Sequence, residues 1–441
     1  MKQLRPFPQA TITKKGARAI EAGHPWVFDA EVLSLTPAPL DGCEAQNGDV
    51  VDVLDEKGAY LGTGLISFNS KIRVRLITRN ANDKFDEAFW ERKVRWAWEY
   101  RKAVMGGNAT LQQQNSPSST QETGKHTWRD LDCCRIIFSE ADAFCGLIVD
   151  RYGDILVAEC LTVGMDKLAP VILPLLVKVM REDGEKICAV YLRNDAKIRE
   201  KEGLGLTKGW LGHPSLTIPE STRIRTSENG ILYEIDLENS QKTGLFLDQK
   251  YNRQVVSRLA AGKRVLDCFT HVGTFALNAA RGGAAYVHGI DISQAAIDAA
   301  RNHATLNGFD RFVEFTCANA FDFLQELDEA GGRFNGKPFD FIILDPPAFT
   351  KNRKTIYEAV RGYRQINYRA MHMLPRGGYL ATCSCSHFFD DKLMRETLAQ
   401  AAHDANIQLK QIEARQQAPD HPIVWGIPET SYLKFFVFQI I

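Results

Sequence analysis

The sequence predicts an α/β protein in three parts: a small N-terminal β-barrel, an α+β middle domain and a C-terminal doubly wound, Rossmann-like sheet. The barrel is predicted by short β-like runs separated by glycine turns before residue 78. The doubly wound sheet is predicted by the alternation of apolar runs with amphipathic segments from about residue 226 onward. Hydrophobic residues make up 44% and charged residues 24% of the chain, as in ordinary globular proteins.

Charge and cysteine usage exclude several classes of protein. The 441 residues contain 54 Lys+Arg and 54 Asp+Glu, so the chain as a whole is not a basic coat for nucleic acid. The ten cysteines are scattered through apolar runs without a repeated CxxC pair, which favours reduced thiols over a disulfide framework. The N-terminal residues lack the apolar region of a signal peptide. We therefore expect a soluble cytoplasmic protein with no membrane segment and no metal site.

The predicted domains are residues 1–78, 79–225 and 226–441, with a polar insertion at 106–125 that carries almost no aliphatic residues. Apolar periodicity predicts the following strands and helices in the first two domains: strands Val50–Leu54, Tyr60–Ile66 and Lys71–Ile77, and helices Glu87–Val104 and Met165–Met180. The third domain is predicted to contain strands Val265–Phe269, Tyr286–Ile290, Phe312–Thr316, Phe339–Leu344, Tyr379–Cys383 and Leu433–Ile440, with helices Gly273–Ala280, Gln294–Asn307, Ile356–Leu374 and Lys392–Ala405.

Polar residues at the ends of the first three strands of this sheet point to a nucleoside cofactor. Asp267 ends the first strand, and the following turn contains Gly273 but neither GxGxxG nor GK[ST], which disfavours pyrophosphate and triphosphate ligands. Asp291 follows 24 residues later, near the usual spacing for an acid that binds ribose hydroxyls. Asn319 follows the third strand, where it could meet an adenine. S-adenosylmethionine, which has an adenosine but no phosphate, fits; the alternative is that Asp291 and Asn319 only cap helices.

The fourth and fifth strands end in residues suited to methylation of a pyrimidine carbon. Asp345 is followed by two prolines and then by Ala348, where enzymes that methylate exocyclic amines commonly carry an aromatic residue; Phe349 comes one position later. Cys383 and Cys385 reach the same edge before a predicted helix, whose N-terminus would favour a thiolate. A thiolate added to carbon 6 of a pyrimidine makes carbon 5 nucleophilic, and Asp345 could hydrogen-bond the ring. The alternative for a strand cysteine is a small buried hydrophobe.

Several motifs together resemble the bacterial large ribosomal RNA methyltransferase I family, whose members are cytosine-carbon-5 enzymes with an N-terminal PUA domain. The three motifs of the sheet are LDCFTHVGTFALNAA, LDPPAF and ATCSCSHF. Similar segments outside it are Gly16–Val32, Ser139–Asp154, Tyr191–Leu204 and Ser240–Arg253. The resemblance covers nearly the whole chain except the polar insertion.

The resemblance implies a set of functional residues. Cys383 would be the nucleophile, with Cys385 as second candidate and Asp345 as its partner. The residues implied in cofactor binding are Asp267, Phe269, Thr270, Gly273, Thr274, Asp291, Ile292, Asn319, Ala320, Asp345, Gln241, Lys242, Thr243 and Phe246. Lys14, Lys15 and Arg18 would contact RNA, whereas we expect Trp26 and Phe28 to be barrel core. The family generally has an acid where this chain has Asn319.

The implied activity is formation of 5-methylcytidine in 23S ribosomal RNA with S-adenosylmethionine, and the partner would be that RNA, free or in an assembling large subunit. The sequence also allows a homodimer. Three other functions stay open: a methyltransferase acting on a guanine ring nitrogen without a cysteine, a non-catalytic ribosome-assembly factor, and a small-molecule methyltransferase. A small-molecule methyltransferase would have no use for the more than 200 residues that precede the cofactor domain, so this function is the less economical explanation.

Overall fold

The computed structural model describes residues 5–106, 128–240, 243–329, 339–350 and 353–441. The chain divides into two compact units. The N-terminal unit comprises Met1–Thr226, Ile235–Leu247 and Pro419–Thr430, and the C-terminal unit comprises Ser227–Glu234, Asp248–Ala418 and Ser431–Ile441. Most of the insertion predicted at 106–125 lies outside the described residues, as do Gln241 and Lys242. None of the described helices is long and apolar enough to cross a membrane.

The first sheet of the N-terminal unit is the predicted barrel-like region. Its six strands are ordered β2-β6-β5-β4-β1-β3. The elements are β1 (Gln9–Ile12), α1 (Lys14–Glu21), β2 (Trp26–Phe28), β3 (Val32–Thr36), β4 (Val50–Leu54), β5 (Tyr60–Ile66) and β6 (Ile72–Thr78). Alternate residues of these strands, such as Ala10, Val53 and Val74, point into one buried cluster. The three strands predicted here are therefore confirmed, the last with a shift of one residue.

The second sheet of this unit belongs to the middle region. Its five strands are ordered β11-β10-β9-β8-β7. The elements are α2 (Glu87–Met105), β7 (Cys133–Phe138), β8 (Leu147–Tyr152), β9 (Ile155–Cys160), α3 (Val163–Glu182), β10 (Ala189–Asn194) and β11 (Thr207–Trp210). Helix α3 tolerates Pro170 and Pro174 because apolar residues such as Leu173 and Leu176 are fully buried. A hairpin of β12 (Arg223–Glu228) and β13 (Ile231–Asp236) follows.

The C-terminal unit contains a seven-stranded sheet of order β16-β15-β14-β17-β18-β20-β19. Its elements are α4 (Lys250–Leu259), β14 (Arg264–Cys268), α5 (Thr274–Arg281), β15 (Tyr286–Asp291), α6 (Gln294–Leu306), β16 (Val313–Cys317), α7 (Ala320–Glu329), β17 (Phe341–Leu344), α8 (Ile356–Met373), β18 (Tyr379–Ser384), α9 (Asp391–Asp404), β19 (Leu409–Arg415) and β20 (Lys434–Ile440). The first five strands are parallel and β20 is antiparallel to both neighbours. The chain order reverses at β14, as in doubly wound sheets.

Apolar burial holds the helices on this sheet. Buried residues of α8, including Ile366 and Met371, pack against Leu344 and Leu380 of the strands. Each such side chain stabilises the fold by about 1.5–3 kcal/mol relative to exposure. The doubly wound architecture predicted from the sequence is confirmed, and β19 is a strand that the sequence analysis did not predict.

Candidate active site

The polar residues predicted at the strand ends do reach one edge of the C-terminal sheet. Asp267 lies in β14, Asp291 ends β15, Asp345 follows β17, and Cys383 lies near the end of β18. These strands are parallel and adjacent, with Asp267 in register with Gly289 on one side and Ile343 on the other. The carboxyl ends of parallel strands form the ligand-binding edge of such sheets.

Asp267 is a buried carboxyl group with one oxygen free for a ligand. Only 1% of the residue is exposed, and its Oδ2 accepts hydrogen bonds from Thr270 Oγ1 at 2.5 Å and the Ala276 amide at 2.9 Å. Its Oδ1 is buried and has no hydrogen-bond partner among the described residues. Burial raises the pKa of Asp267 to about 7, and the nearby carboxylates of Asp345 and Asp291 add to that rise. A cationic ligand group at Oδ1 would stabilise the ionised form.

The loop between β14 and α5 has an unusual backbone. Phe269, His271 and Gly273 have φ angles of +64°, +52° and +85°. Positive φ is strained for residues other than glycine, and such strain concentrates at ligand-binding segments. Gly273 is required on a second ground, since a Cβ there would lie 2.9 Å from Cζ of Phe315. Thr274 begins α5 and is buried.

Asp291 and Asn319 make local hydrogen bonds as well as reaching the edge. Asp291 accepts from the backbone amides of His271 and Ser293, each at 2.9 Å, which ties it to the strained loop. Ile292 beside it is 74% exposed and offers an apolar surface for a flat ring. Exposed Asn319 accepts from the Phe321 amide at 2.9 Å just before α7, where Ala320 is buried. A capping role and a ligand role are compatible for both polar residues.

The group of residues fits S-adenosylmethionine. The buried oxygen of Asp267 suits a cationic amino group, Asp291 suits ribose hydroxyls, and the Ile292 side chain suits the face of adenine. When bound, this cofactor supplies a methyl group on a positively charged sulfur.

Asp345 and Cys383 lie together beside the cofactor residues. Cys383 is fully buried, and it lies beside Asp345 because the preceding residues, Leu344 and Thr382, pair in the adjacent strands β17 and β18. Gln249, in the turn before α4, donates from Nε2 to Asp345 Oδ1 at 3.1 Å. Asn252 Nδ2 in turn donates to Gln249 Oε1 at 2.6 Å. Three reactive or polar side chains from separate elements therefore converge at one point.

The protonation of this pair is governed by burial. Burial raises the pKa of Asp345 to about 7, and the carboxylate of Asp248 adds to the rise. The Arg253 guanidinium and the hydrogen bonds from Cys383 and Gln249 oppose it. Burial also raises the pKa of the Cys383 thiol well above its ordinary value of 9.0, and the charge of Asp345 adds to the effect.

The expectation that a helix N-terminus holds Cys383 as a thiolate is wrong. Cys383 lies within β18, and α9 begins only at Asp391, with Asp390 as its cap. The helix dipole falls off within its first turn and therefore does not act on this thiol. In the protein without substrate Cys383 is a neutral thiol, and a neighbouring base is needed to deprotonate it.

Cys385 lies just past the end of β18 and is half-buried. The residues on either side of it are held by Tyr363, whose hydroxyl is 3.0 Å from Ser384 Oγ and 3.3 Å from Ser386 Oγ. Lys434 Nζ donates to the carbonyl oxygen of Ser386 at 2.7 Å. Burial lowers the pKa of Lys434 to about 8.

The other predicted residues that the structure describes belong to the N-terminal unit. Thr243 and Phe246 belong to the N-terminal unit, where Thr243 is buried and donates to Asp150. Lys14, Lys15 and Arg18 are exposed on α1. The expectation that Phe28 is barrel core is wrong, since it is 41% exposed, and Trp26 is half-buried. Gln249 lies within Ser240–Arg253, one of the segments that carry the resemblance, and no local pattern indicates its hydrogen bond to Asp345, which is 96 positions away.

Comparison with known proteins agrees with this geometry. The profile of the S-adenosylmethionine-dependent methyltransferase family matches residues 215–437, and that of the PUA-like domain matches residues 10–79. A Streptococcus mutans structure, described provisionally as a methyltransferase dependent on that cofactor, superposes with a TM-score of 0.73 at 18% identity, covering 98% of this chain and 99% of its own. Fold and site thus define an S-adenosylmethionine-dependent methyltransferase.

Relatives that match nearly the full length of the chain identify its family. The ribosomal RNA large subunit methyltransferase I of Shewanella denitrificans is 35% identical over 424 residues, which are 96% of this chain and 97% of the relative. The protein of the same name from Alteromonas mediterranea is 35% identical over 434 residues, 98% of each chain. The chain belongs to the ribosomal RNA large subunit methyltransferase I family.

Proposed function

We propose that this protein methylates carbon 5 of a cytosine in large-subunit (23S) ribosomal RNA, with Cys383 as the nucleophile. The substrate class follows from the names of its full-length relatives. The observation that carries the choice of atom is the position of Cys383 beside the Asp345 carboxyl group, directly after paired residues of the adjacent strands β17 and β18. Methylation of a ring nitrogen needs no thiol, whereas carbon 5 of a pyrimidine is too weak a nucleophile without one.

Asp345 serves as the proton carrier in this proposal. With a pKa of about 7, its carboxyl group is ionised in part of the molecules at neutral pH and can accept the proton of Cys383. The Sγ–C6 bond forms as the carboxylic acid passes that proton to N3 of the cytosine, which leaves carbon 5 electron-rich. Carbon 5 then takes the methyl group from the sulfonium, whose S–CH3 bond breaks to leave a neutral thioether. A base removes the proton of carbon 5, the Sγ–C6 bond breaks to release the thiolate, and N3 returns its proton to the Asp345 carboxylate. Cys385 is the second candidate for nucleophile.

The segment after Asp345 supports carbon over the exocyclic amine as the target. Phe349 is half-buried and packs on Tyr363 with ring centroids 4.6 Å apart and on Phe321 at 5.7 Å. This ring is part of an aromatic cluster within the C-terminal unit, and the position directly after the two prolines holds Ala348. A cytosine amine would therefore lack the aromatic partner that amine methyltransferases commonly provide.

A labelling experiment tests the proposal. The protein and its Cys383→Ala variant are incubated with tritiated S-adenosylmethionine and ribosomal RNA from cells lacking the gene, and the labelled nucleoside is identified. We expect 5-methylcytidine with the wild type and none with Cys383→Ala. Cys317→Ala is the matched control, because Cys317 ends β16 at the same edge of the sheet. It should retain activity.

A trapping experiment separates the two cysteines. RNA containing 5-fluorocytidine cannot lose its carbon-5 substituent, so the covalent adduct accumulates and survives a denaturing gel. The adduct should form with Cys385→Ala and not with Cys383→Ala; the reverse pattern would assign Cys385. Label on guanosine that survives Cys383→Ala would contradict the carbon-5 mechanism. Failure of the wild type to bind S-adenosylmethionine would favour a non-catalytic assembly factor.

A further inference from the structure

A tryptophan of the N-terminal unit is held almost completely in solvent by a rigid turn. Trp425 is 97% exposed and lies in the segment Pro419–Thr430, which connects two strands of the other unit. The Ile427 amide donates to the Val424 carbonyl at 2.8 Å, which places Trp425 and Gly426 at the centre of a β-turn. Thr430 Oγ1 accepts from the Val424 amide at 2.9 Å and donates to the Ile427 carbonyl at 2.7 Å. The turn is therefore fixed at both ends.

The same turn packs against the PUA-like region next to helix α1. A Cβ built on Gly426 would lie 2.9 Å from the Cα of Gly23. The two backbones are therefore in contact, and no side chain larger than the hydrogen of glycine fits at Gly426. His24 Nε2 lies 3.3 Å from a carboxylate oxygen of Glu429. Both contacts fix the turn beside the C-terminal end of α1, which ends at Glu21.

Further aromatic rings continue from this point. His24, Trp26 and Phe28, which we term the aromatic strip, contact one another edge to face, with ring centroids 5.1 Å apart for the first pair and 6.3 Å for the second. Phe28 is exposed, and the indole N–H of half-buried Trp26 donates to Glu140 at 3.1 Å. The turn that carries Trp425 therefore contacts the residue at the start of the aromatic strip, His24, through Glu429.

Exposed cations accompany these rings. Lys14, Lys15 and Arg18 are exposed on α1. Lys15 Nζ is 3.7 Å from Glu31, yet its side chain is almost fully in solvent. Exposed aromatic rings beside lysine and arginine are the features by which proteins bind single-stranded nucleic acid, since bases stack on the rings and phosphates meet the cations. Two copies of this surface would bring the same cations face to face, which disfavours a symmetric dimer through it.

We infer that Trp425 stacks on an unpaired base of the RNA substrate while the cations of α1 contact its phosphates. The inference rests on the proposed function for the identity of the ligand as RNA, but not for the atom that is methylated. The rigid turn matters here because a ring that is already ordered loses little conformational entropy when a base stacks on it.

Fluorescence anisotropy tests the inference. It measures how tightly the full chain, without cofactor, binds a fluorescein-labelled single-stranded transcript of the large-subunit ribosomal RNA. Loss of one stacked base corresponds to a weakening of about 5-fold to 150-fold, which we expect for Trp425→Ala. Trp425→Phe keeps a ring and should bind within about 3-fold of wild type. Trp96→Ala is the matched control, because Trp96 on α2 is 59% exposed but lies under Arg92. It should bind as wild type.

The salt dependence separates stacking from charge. Trp425→Ala should keep the wild-type slope of log K against log salt, whereas Lys15→Ala and Arg18→Ala should reduce it by about 1 each. Unchanged binding by Trp425→Ala, or equal losses in Trp96→Ala, would overturn the inference while leaving methylation by the wild type intact. A wild-type dimer in sedimentation that Trp425→Ala dissociates would assign the ring to a second copy and overturn it too. A wild type that neither binds nor methylates the RNA would overturn both proposals.

Discussion

Gln249 donates a hydrogen bond from Nε2 to Oδ1 of Asp345 at 3.1 Å, across 96 positions of sequence. The amide oxygen of Gln249 accepts a hydrogen bond from Asn252 Nδ2. The hydrogen bond from Gln249 to Asp345 favours the ionised carboxyl and so opposes the rise in pKa that burial causes. Gln249 is therefore a positioning residue that keeps Asp345 able to accept the thiol proton near neutral pH.

Replacement of Gln249 should change the pH profile of methylation. Gln249→Ala removes a hydrogen bond from the ionised form, so the pKa of Asp345 rises above about 7. If the carboxylate must accept the thiol proton, the acid limb of kcat/KM moves up by about 1 pH unit. The rate at pH 7 then falls about 5-fold, because the ionised fraction of Asp345 drops from about one half to about one tenth, and it recovers toward pH 9. Steady-state assays across this range provide the measurement.

Gln254→Ala is the matched control for that prediction. Gln254 lies in α4, directly after the turn that contains Gln249, and its amide donates to Asn229 at 2.7 Å instead of to Asp345. Its replacement should leave the limb in place. A Gln249→Ala enzyme that loses activity equally at every pH would mean that the residue only maintains the shape of the site.

Asp267 makes binding of the cofactor depend on pH. Its pKa of about 7 in the cofactor-free protein means that the carboxyl group is mostly protonated below neutrality. Because a cationic ligand needs the carboxylate, the affinity for S-adenosylmethionine should rise about 10-fold per pH unit up to about pH 7 and then level off. Isothermal titration calorimetry between pH 5.5 and 7.5 measures this. Asp267→Asn should bind S-adenosylmethionine more weakly and lose the pH dependence of the affinity. Asp291→Asn should also bind weakly but keep that pH dependence. A wild-type affinity independent of pH would show that Asp267 does not face the cationic group.

The main features of the sheet edge could be predicted because they depend on local rules. Asp267, Asp291 and Asp345 each stand at the end of an apolar run, and the alternation of strands and helices makes those runs parallel, so the three acids must share an edge. The pairing of Cys383 with Asp345 follows from the adjacency of β17 and β18.

Other features depend on contacts that no local pattern records. Gln249 lies in a turn that is far from Asp345 in sequence, and only tertiary packing brings the two side chains together. The thiolate expectation failed because the field of a helix N-terminus acts only within about one turn, whereas four residues separate the half-buried Cys385 from the helix cap Asp390. The turn that carries Trp425 belongs to the N-terminal unit although strands of the C-terminal unit flank it. Strand β19 has weak alternation, LKQIEAR, and was missed.

Two glycines with the same backbone angle separate the conformational and steric demands of the cofactor loop. Gly273 and Gly283 both have φ of +85°, but a Cβ on Gly273 would lie 2.9 Å from Phe315, whereas on Gly283 the nearest atom is 3.9 Å away. Gly283→Ala should cost about 1–2 kcal/mol, the penalty of a left-handed residue. Gly273→Ala should cost about 1–3 kcal/mol more because of overpacking. Urea unfolding of both variants provides the comparison, and equal losses would refute the steric requirement at Gly273.

Lys434 should control both the stability of the loop after β18 and the reactivity of Cys385. Its ammonium group donates to the carbonyl oxygens of Ser386 at 2.7 Å and Tyr432 at 2.8 Å, and burial lowers its pKa to about 8. The charge of Cys385 opposes this lowering of the Lys434 pKa, so the ammonium group and the thiol interact electrostatically. Lys434→Met leaves buried carbonyl groups without this donor and should cost about 1–3 kcal/mol of the free energy of unfolding.

The same variant should slow alkylation of Cys385. A nearby cation stabilises a thiolate, so its removal raises the pH at which Cys385 reacts with iodoacetamide. Mass spectrometry of the peptide that contains Cys385, sampled during alkylation over a range of pH, gives this midpoint directly. Exposed Cys43 and Cys317 serve as internal references, because their rates should be the same in both proteins. If Cys385 reacts at the wild-type rate in Lys434→Met, the lysine acts only through its hydrogen bonds, and the case for Cys385 as a second functional thiol loses its electrostatic support.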